Sequence, residues 1–158
     1  MVELDVKIEA NDLYDYMLRH SYNSAVGIIG SCFGALILLL AVMAKQWVYL
    51  VFGLIILLYL PWTLFFRSRR QVLGNPSFQQ PLHYVLDDQG LTISQGEESV
   101  QYPWEEMRKA VSTGRSIILY TSPVNATIFP KRQMEDQKSA VIEMISTHMP
   151  AANVKIRN

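Results

Sequence analysis

SAVGIIGSCFGALILLLAVMA (residues 24–44) and WVYLVFGLIILLYLPWTLFF (residues 47–66) stand almost back to back, and neither holds an Asp, Glu, Lys or Arg. Only Lys45 and Gln46 separate them. An α-helix rises about 1.5 Å per residue, so some 20 residues cover about 30 Å, the hydrocarbon thickness of a bilayer. Each run is therefore long enough to cross a membrane once, and a two-residue break leaves room only for a helical hairpin. The second run contains thirteen Leu, Ile, Val and Phe residues. Each favours the bilayer centre by roughly 0.3–0.6 kcal/mol, so insertion is favourable by about 4–8 kcal/mol. The competing reading, two core helices of a globular protein, predicts some charge over such a length.

Lys and Arg beside a span are retained on the cytoplasmic side. Arg67, Arg69 and Arg70 close the second run, Lys45 alone marks the tip, and Arg19 and Lys7 precede the first run. This count predicts both termini in the cytoplasm and the tip outside. Trp47 and Tyr49 at one end, and Tyr59 and Trp62 at the other, suit interfacial aromatic belts. Residues 1–23 carry five acidic groups against two basic ones, unlike the basic start of a secretory signal, so the first run is expected to persist in the mature protein. Cys32 is the only cysteine. It can form no internal disulfide and no Cys-based metal centre. The apolar run continues past it, so it reads as a packing residue rather than a lipidation box.

Outside the two runs the sequence is mainly of β type. Val2, Leu4, Val6 and Ile8 alternate with Glu3, Asp5, Lys7 and Glu9, the period of a half-buried strand. Asn11 or Asp12 is placed to cap a helix through Leu13, Tyr16, Met17 and His20. Strands are predicted at 82–86, 91–94, 99–102, 108–112, 116–120 and 126–129, with turns at 87–90, 95–98 and 113–115. An amphipathic helix follows at 135–148, with Val141, Ile142, Ile145 and Met149 on one face and Pro150 as its stop. The organisation is then a strand and helix at 1–23, an apolar hairpin at 24–66, a basic linker at 67–81, a β-rich domain at 82–149 and a tail at 150–158. About 68 residues make a marginal core. The N-terminal strand is needed to complete it, giving an α+β protein of seven strands and one C-terminal helix, the element count of a small pleckstrin-homology-like barrel or sandwich with the hairpin inserted after its first strand.

That order of elements, with the turn Tyr102-Pro103-Trp104, the step Pro130-Lys131-Arg132 and the terminal helix, resembles the YcxB-like family of small bacterial membrane proteins. The resemblance covers nearly the whole chain. It implies a bacterial inner-membrane protein with a cytosolic pleckstrin-homology-like domain, and it implies no particular activity.

The neutral total charge hides a segregation. Residues 1–23 and 82–149 each carry net −3, whereas 45–81 carry +4 and the tail +2. A nucleic-acid partner is not expected from acidic soluble parts. Membrane lipids are the expected contact of the basic segment. His20, His83 and His148 show no metal-ligand spacing, and no nucleophile-elbow, phosphate-loop or zinc-protease motif occurs. No cofactor and no catalytic residue is therefore assigned. Three groups of residues remain as candidates. Arg108, Lys109, Arg115, Lys131 and Arg132 form one basic face if their strands are adjacent. Gly27, Gly30, Ser31 and Gly34, with Gly53 opposite, form small rows for helix packing, within the hairpin or between two copies of the chain. Trp104 and Tyr102 serve either the core or a docking surface. Two functions fit: a membrane-anchored, non-enzymatic module that holds a protein partner by a sheet edge or a sheet–helix groove, or an accessory subunit that contacts its complex through the hairpin. A hydrolase would require a pocket of clustered titratable groups.

Overall fold

Alternation of apolar and charged side chains makes Val2–Val6 a strand, β1, with Leu4 and Val6 turned inward and Glu3 and Asp5 outward. The helix that follows, α1 (Ala10–Tyr22), is capped by Glu9 rather than by Asn11 or Asp12. Asp12 sits three residues inside, where its carboxylate accepts the Glu9 N–H at 2.9 Å. This is a capping-box arrangement, which lets the helix start before the acidic residue that secures it. Residues 1–123, 125–134 and 136–156 are described by this computed structural model.

The apolar runs become α2 (Ala25–Ala44) and α3 (Trp47–Gly74). Ser24 caps α2, its Oγ accepting the Gly27 N–H at 3.1 Å. The tip is closed by Lys45 in the left-handed region, φ 52°, and by the Gln46 N–H donating to the Ala41 carbonyl at 3.3 Å, the usual helix-terminating geometry. Both helices are long and apolar enough to cross a membrane. Their large side chains are mostly exposed, among them Val26, Ile29, Val42, Trp47, Tyr59 and Trp62. The helix α3 does not end with its apolar run. It continues through Arg67, Arg69 and Arg70, so most of the segment read as a basic linker is helical. Nothing in its composition breaks a helix before Gly74, Asn75 and Pro76.

Six strands follow: β2 (Leu82–Leu86), β3 (Gly90–Gln95), β4 (Glu98–Pro103), β5 (Lys109–Ser112), β6 (Ser116–Tyr120) and β7 (Ala126–Pro130). Then come α4 (Lys138–His148) and β8 (Val154–Lys155). Two four-stranded sheets result, ordered β1-β2-β3-β4 and β7-β6-β5-β8. The first is antiparallel throughout, with Leu4 opposite Tyr84 and Thr92 opposite Gln101. In the second, β8 runs parallel to β5, Ala110 facing Val154. Among the described residues the strand count is thus eight, not seven, because the segment read as a tail supplies one. The last helix is also shorter than 135–148, beginning at Lys138. Glu135, where it was expected to begin, lies outside the described residues.

Both sheets share one core with α4. Leu4, Val6, Leu86 and Leu91 from the first sheet meet Ile117, Leu119 and Phe129 from the second, with Val141 and Ile145 of α4 and its cap residue Met149. Tyr84 and Phe129 touch edge to face across the core, centroids 5.1 Å apart. The helix α1 links this body to the hairpin. Its Tyr14 meets Phe65 of α3 edge-on at 5.7 Å, and its Tyr16 lies 6.0 Å from the Tyr120 ring of β6.

Candidate functional site

The five cations expected on one face fall into two places. Arg115, Lys131 and Arg132 gather beside Glu9 and Asp12 at the start of α1. There Arg132 is answered by acid and Lys131 by a backbone carbonyl. Arg132 Nη2 donates to the Asp12 carboxylate at 2.6 Å and Nη1 reaches Glu9 at 3.2 Å. Lys131 donates to the Thr113 carbonyl, and the Thr113 hydroxyl donates to the Asp15 carboxylate. Partial burial and the neighbouring Lys138 lower the Lys131 pKa, while Asp15 acts in the opposite sense. This cluster is a clamp between α1 and the β7–α4 connection rather than an open anion site.

Arg108 and Lys109 lie elsewhere. They line a hollow of about 280 Å³ together with Arg19, His20, Ser24 and Tyr120. Arg19 and His20 come from the last turn of α1 and Ser24 is the cap of α2, so the hollow lies at the elbow where the apolar hairpin begins. Neither Arg19 nor His20 belonged to the basic face read from the sequence. The signal for them was their position just before the apolar run, but their nearness to Arg108 depends on how α1 lies against the second sheet. Burial raises the Tyr120 pKa, the neighbouring Tyr16 adds to this and Arg19 partly opposes it, so its hydroxyl stays protonated as a donor.

The small residues of the hairpin are mostly spent inside it. A Cβ on Gly34 would come within 2.8 Å of Leu57, and one on Gly53 within 2.6 Å of Leu38. These two glycines let α2 and α3 approach each other. Gly27 is buried against the Ser21 carbonyl, and Ser31 donates to the Gly27 carbonyl at 2.8 Å. Gly30 alone of the row faces open space. Arg67, Arg69 and Arg70 are exposed on the last turns of α3, with the Arg69 guanidinium 4.4 Å above the Phe65 ring.

Trp104 belongs to the core. It is 7% exposed, its Nε1 donates to the Asp87 carbonyl at 2.8 Å, and its ring stacks on His148 at 5.1 Å. His148 in turn reaches Asp88 at 3.4 Å. His83 pairs with Asp5 at 2.8 Å and His20 stacks on Tyr16. Among the described residues no cluster of three or more metal-ligating side chains forms. Tyr102 is half-buried and lines a hollow of about 360 Å³ with Tyr84, Ile93, Thr127 and Gln71, a lining with no charged side chain.

One sheet edge is open. The strand β4 ends the first sheet, and Glu98, Ser99, Val100 and Gln101 are exposed along it. Val100 is an apolar residue 51% exposed.

Residues 86–145 match the family model of YcxB-like proteins. That stretch is similar to YcxB-like proteins. On the structure the match runs from the last residue of β2 through β3–β7 and into the final turns of α4. The YcxB-like part thus contains Arg108, Lys109 and the open β4 edge, while β1, α1 and the two apolar helices precede it. Comparisons with curated proteins and with solved structures gave no match.

Proposed function

We propose that this YcxB-like chain is a membrane-anchored, non-enzymatic binding module whose two-sheet domain engages an extended segment of a protein partner. The observation that carries the anchoring is the exposure of large apolar side chains along α2 and α3, whose apolar stretches are only 17% and 11% buried. In water that surface is far beyond the few hundred Å² of apolar patch that soluble monomers tolerate. In a bilayer it is the required surface. The charges of Arg67, Arg69 and Arg70 support cytoplasmic termini and a bacterial inner-membrane location. Four meandering strands, three more joined by the short β8 in the second sheet, and a helix over the shared core support a pleckstrin-homology-like domain.

The open β4 edge supports the partner. Its unpaired N–H and C=O groups are a ready template for strand addition, which draws affinity from main-chain hydrogen bonds and specificity from alternate side chains. The contrasting reading, contact through the hairpin, has less to stand on because Gly34 and Gly53 already serve internal packing. The test places a photo-reactive amino acid at Val100 or at Gly30 of the full chain in native membranes. A discrete heterologous adduct from position 100, lost in Gln101→Pro, is expected. Adducts from position 30 alone would favour the accessory-subunit reading. Release of the chain from membranes by alkaline carbonate would remove the anchoring.

A further inference from the structure

The elbow hollow holds three cations, Arg19, Arg108 and Lys109, and no carboxylate among its lining residues. At the start of α1 the arrangement differs, because there Arg132 meets two carboxylates. The ion pairs formed by described residues join Asp5 to His83, Glu9 and Asp12 to Arg132, and Asp88 to His148. None of them includes Arg19, Arg108 or Lys109. Like charges brought together without a counter-charge repel. A folded chain with as many acidic as basic residues keeps such a cluster at this cost unless an anion completes it. The N-terminus of the 20-residue helix α2 opens at the same place, with Ser24 on the wall of the hollow. Its free N–H groups and dipole add to the pull on an anion. The Tyr120 hydroxyl supplies a further donor.

We infer that this elbow is a binding site for the phosphate headgroup of an anionic phospholipid. The geometry that selects a lipid over a free anion is the position of Ser24. It is one residue before the apolar helix, so an occupant of the hollow has acyl chains within reach of α2, beside Val26 and Gly30. This inference rests on the anchoring proposed above. The site would fix the domain against one leaflet and make its docking sensitive to the local content of acidic lipid.

The test uses the full chain in phosphatidylcholine nanodiscs doped with a minor fraction of phosphatidylglycerol that carries a diazirine on its glycerol headgroup. Crosslinks are expected on residues 19–24 and 108–123. Arg108→Ala with Lys109→Ala, both exposed positions, should cut that labelling by about fivefold for each cation removed, the factor that corresponds to roughly 1 kcal/mol per basic residue at an anionic surface. Arg108→Lys should retain most of it. Equal melting temperatures of the variants confirm that the fold is kept, and if the double alanine variant unfolds, Lys109→Gln replaces it. Labelling confined to 67–74, or unchanged in the variants, would overturn the site. Displacement by excess inorganic phosphate would show a site for free anion and overturn the lipid assignment. Failure of the chain to enter the discs would overturn both the anchoring and this inference, whereas entry without elbow labelling would overturn only the inference.

Discussion

Asp12 is the one carboxylate among the described residues that folding removes almost wholly from water, at 3% exposure. It is retained because two donors meet it, the Glu9 N–H and the Arg132 guanidinium. Removing one partner of such a pair strands the other, and the fully buried case costs about 3–5 kcal/mol. Arg132 keeps 42% of its side chain exposed, so the cost here is lower. Asp12→Ala should destabilise the chain by about 2 kcal/mol, and Arg132→Ala by somewhat less. The double variant should lose less than their sum, as denaturant unfolding followed by circular dichroism would measure. Tyr84 gives a pH dependence with a defined sign. Burial holds its pKa above the ordinary 10.0, so the unfolded chain ionises first as pH rises. The stability linked to this group is intact below pH 10 and falls above it. Melting temperatures between pH 9 and pH 11 should drop less steeply in Tyr84→Phe than in the parent chain. Neither residue's role was legible in the sequence. Asp12 read as a helix cap, and its partner Arg132 lies 120 positions away.

The β1 strand is the element whose reading and outcome coincide most closely. Its period-two pattern predicted one apolar face, and Leu4, Val6 and Ile8 are buried at 6%, 0% and 4% exposure. A Val, Leu or Ile buried in this way contributes roughly 1.5–3 kcal/mol. A soluble fragment starting at Leu82 should therefore be poorly folded, and joining residues 1–10 to it by a flexible linker should restore a cooperative thermal transition. Leu4→Asp with Val6→Asp should abolish that transition, whereas Glu3→Ser with Asp5→Ser should shift it little, since Asp5 forfeits only an exposed contact with His83. A fragment that melts cooperatively without β1 would contradict this. The β8 strand is the opposite case. Two residues carry no periodicity, and Val154–Lys155 become a strand only because α4 and the turn after Pro150 return the chain alongside β5.

At the scale of the molecule, α1 sets the relation of the two-sheet domain to the hairpin. It packs on α3 through Tyr14 and Phe65 and on the second sheet through Tyr16 and Tyr120. It is also clamped at its start by Arg132. If the hairpin crosses a membrane, this strut holds the domain close to one leaflet and requires both ends of the chain on the same side. A reporter fused at the N-terminus and one fused after Asn158 should both be active in the cytoplasm, while a cysteine placed at Gln46 should react with an impermeant reagent from outside. Neutral residues in place of Arg67, Arg69 and Arg70 should weaken that orientation. Opposite accessibility of the two termini would sink the hairpin topology.

Length and period are properties of neighbouring residues, and what depended on them could be read directly. Two uncharged runs of about 20 residues determined the paired apolar helices, alternation determined β1, and the spacing of turns determined an α+β body of short strands closed by a helix. Other features depend on distance through space. Arg108 and Lys109 are joined by Arg19, about 90 positions earlier, while Arg115, Lys131 and Arg132 gather beside Glu9 and Asp12, where Arg132 pairs with both. The bounds of α3 and α4, the pairing of β8 and the division of one expected basic face into a cluster beside Glu9 and Asp12 and a hollow with no carboxylate in its lining were all decided by tertiary structure. Electrostatic energy falls with separation between charges and not with their separation along the chain, so only the placement of α1 across the second sheet could decide which cations were left without a partner.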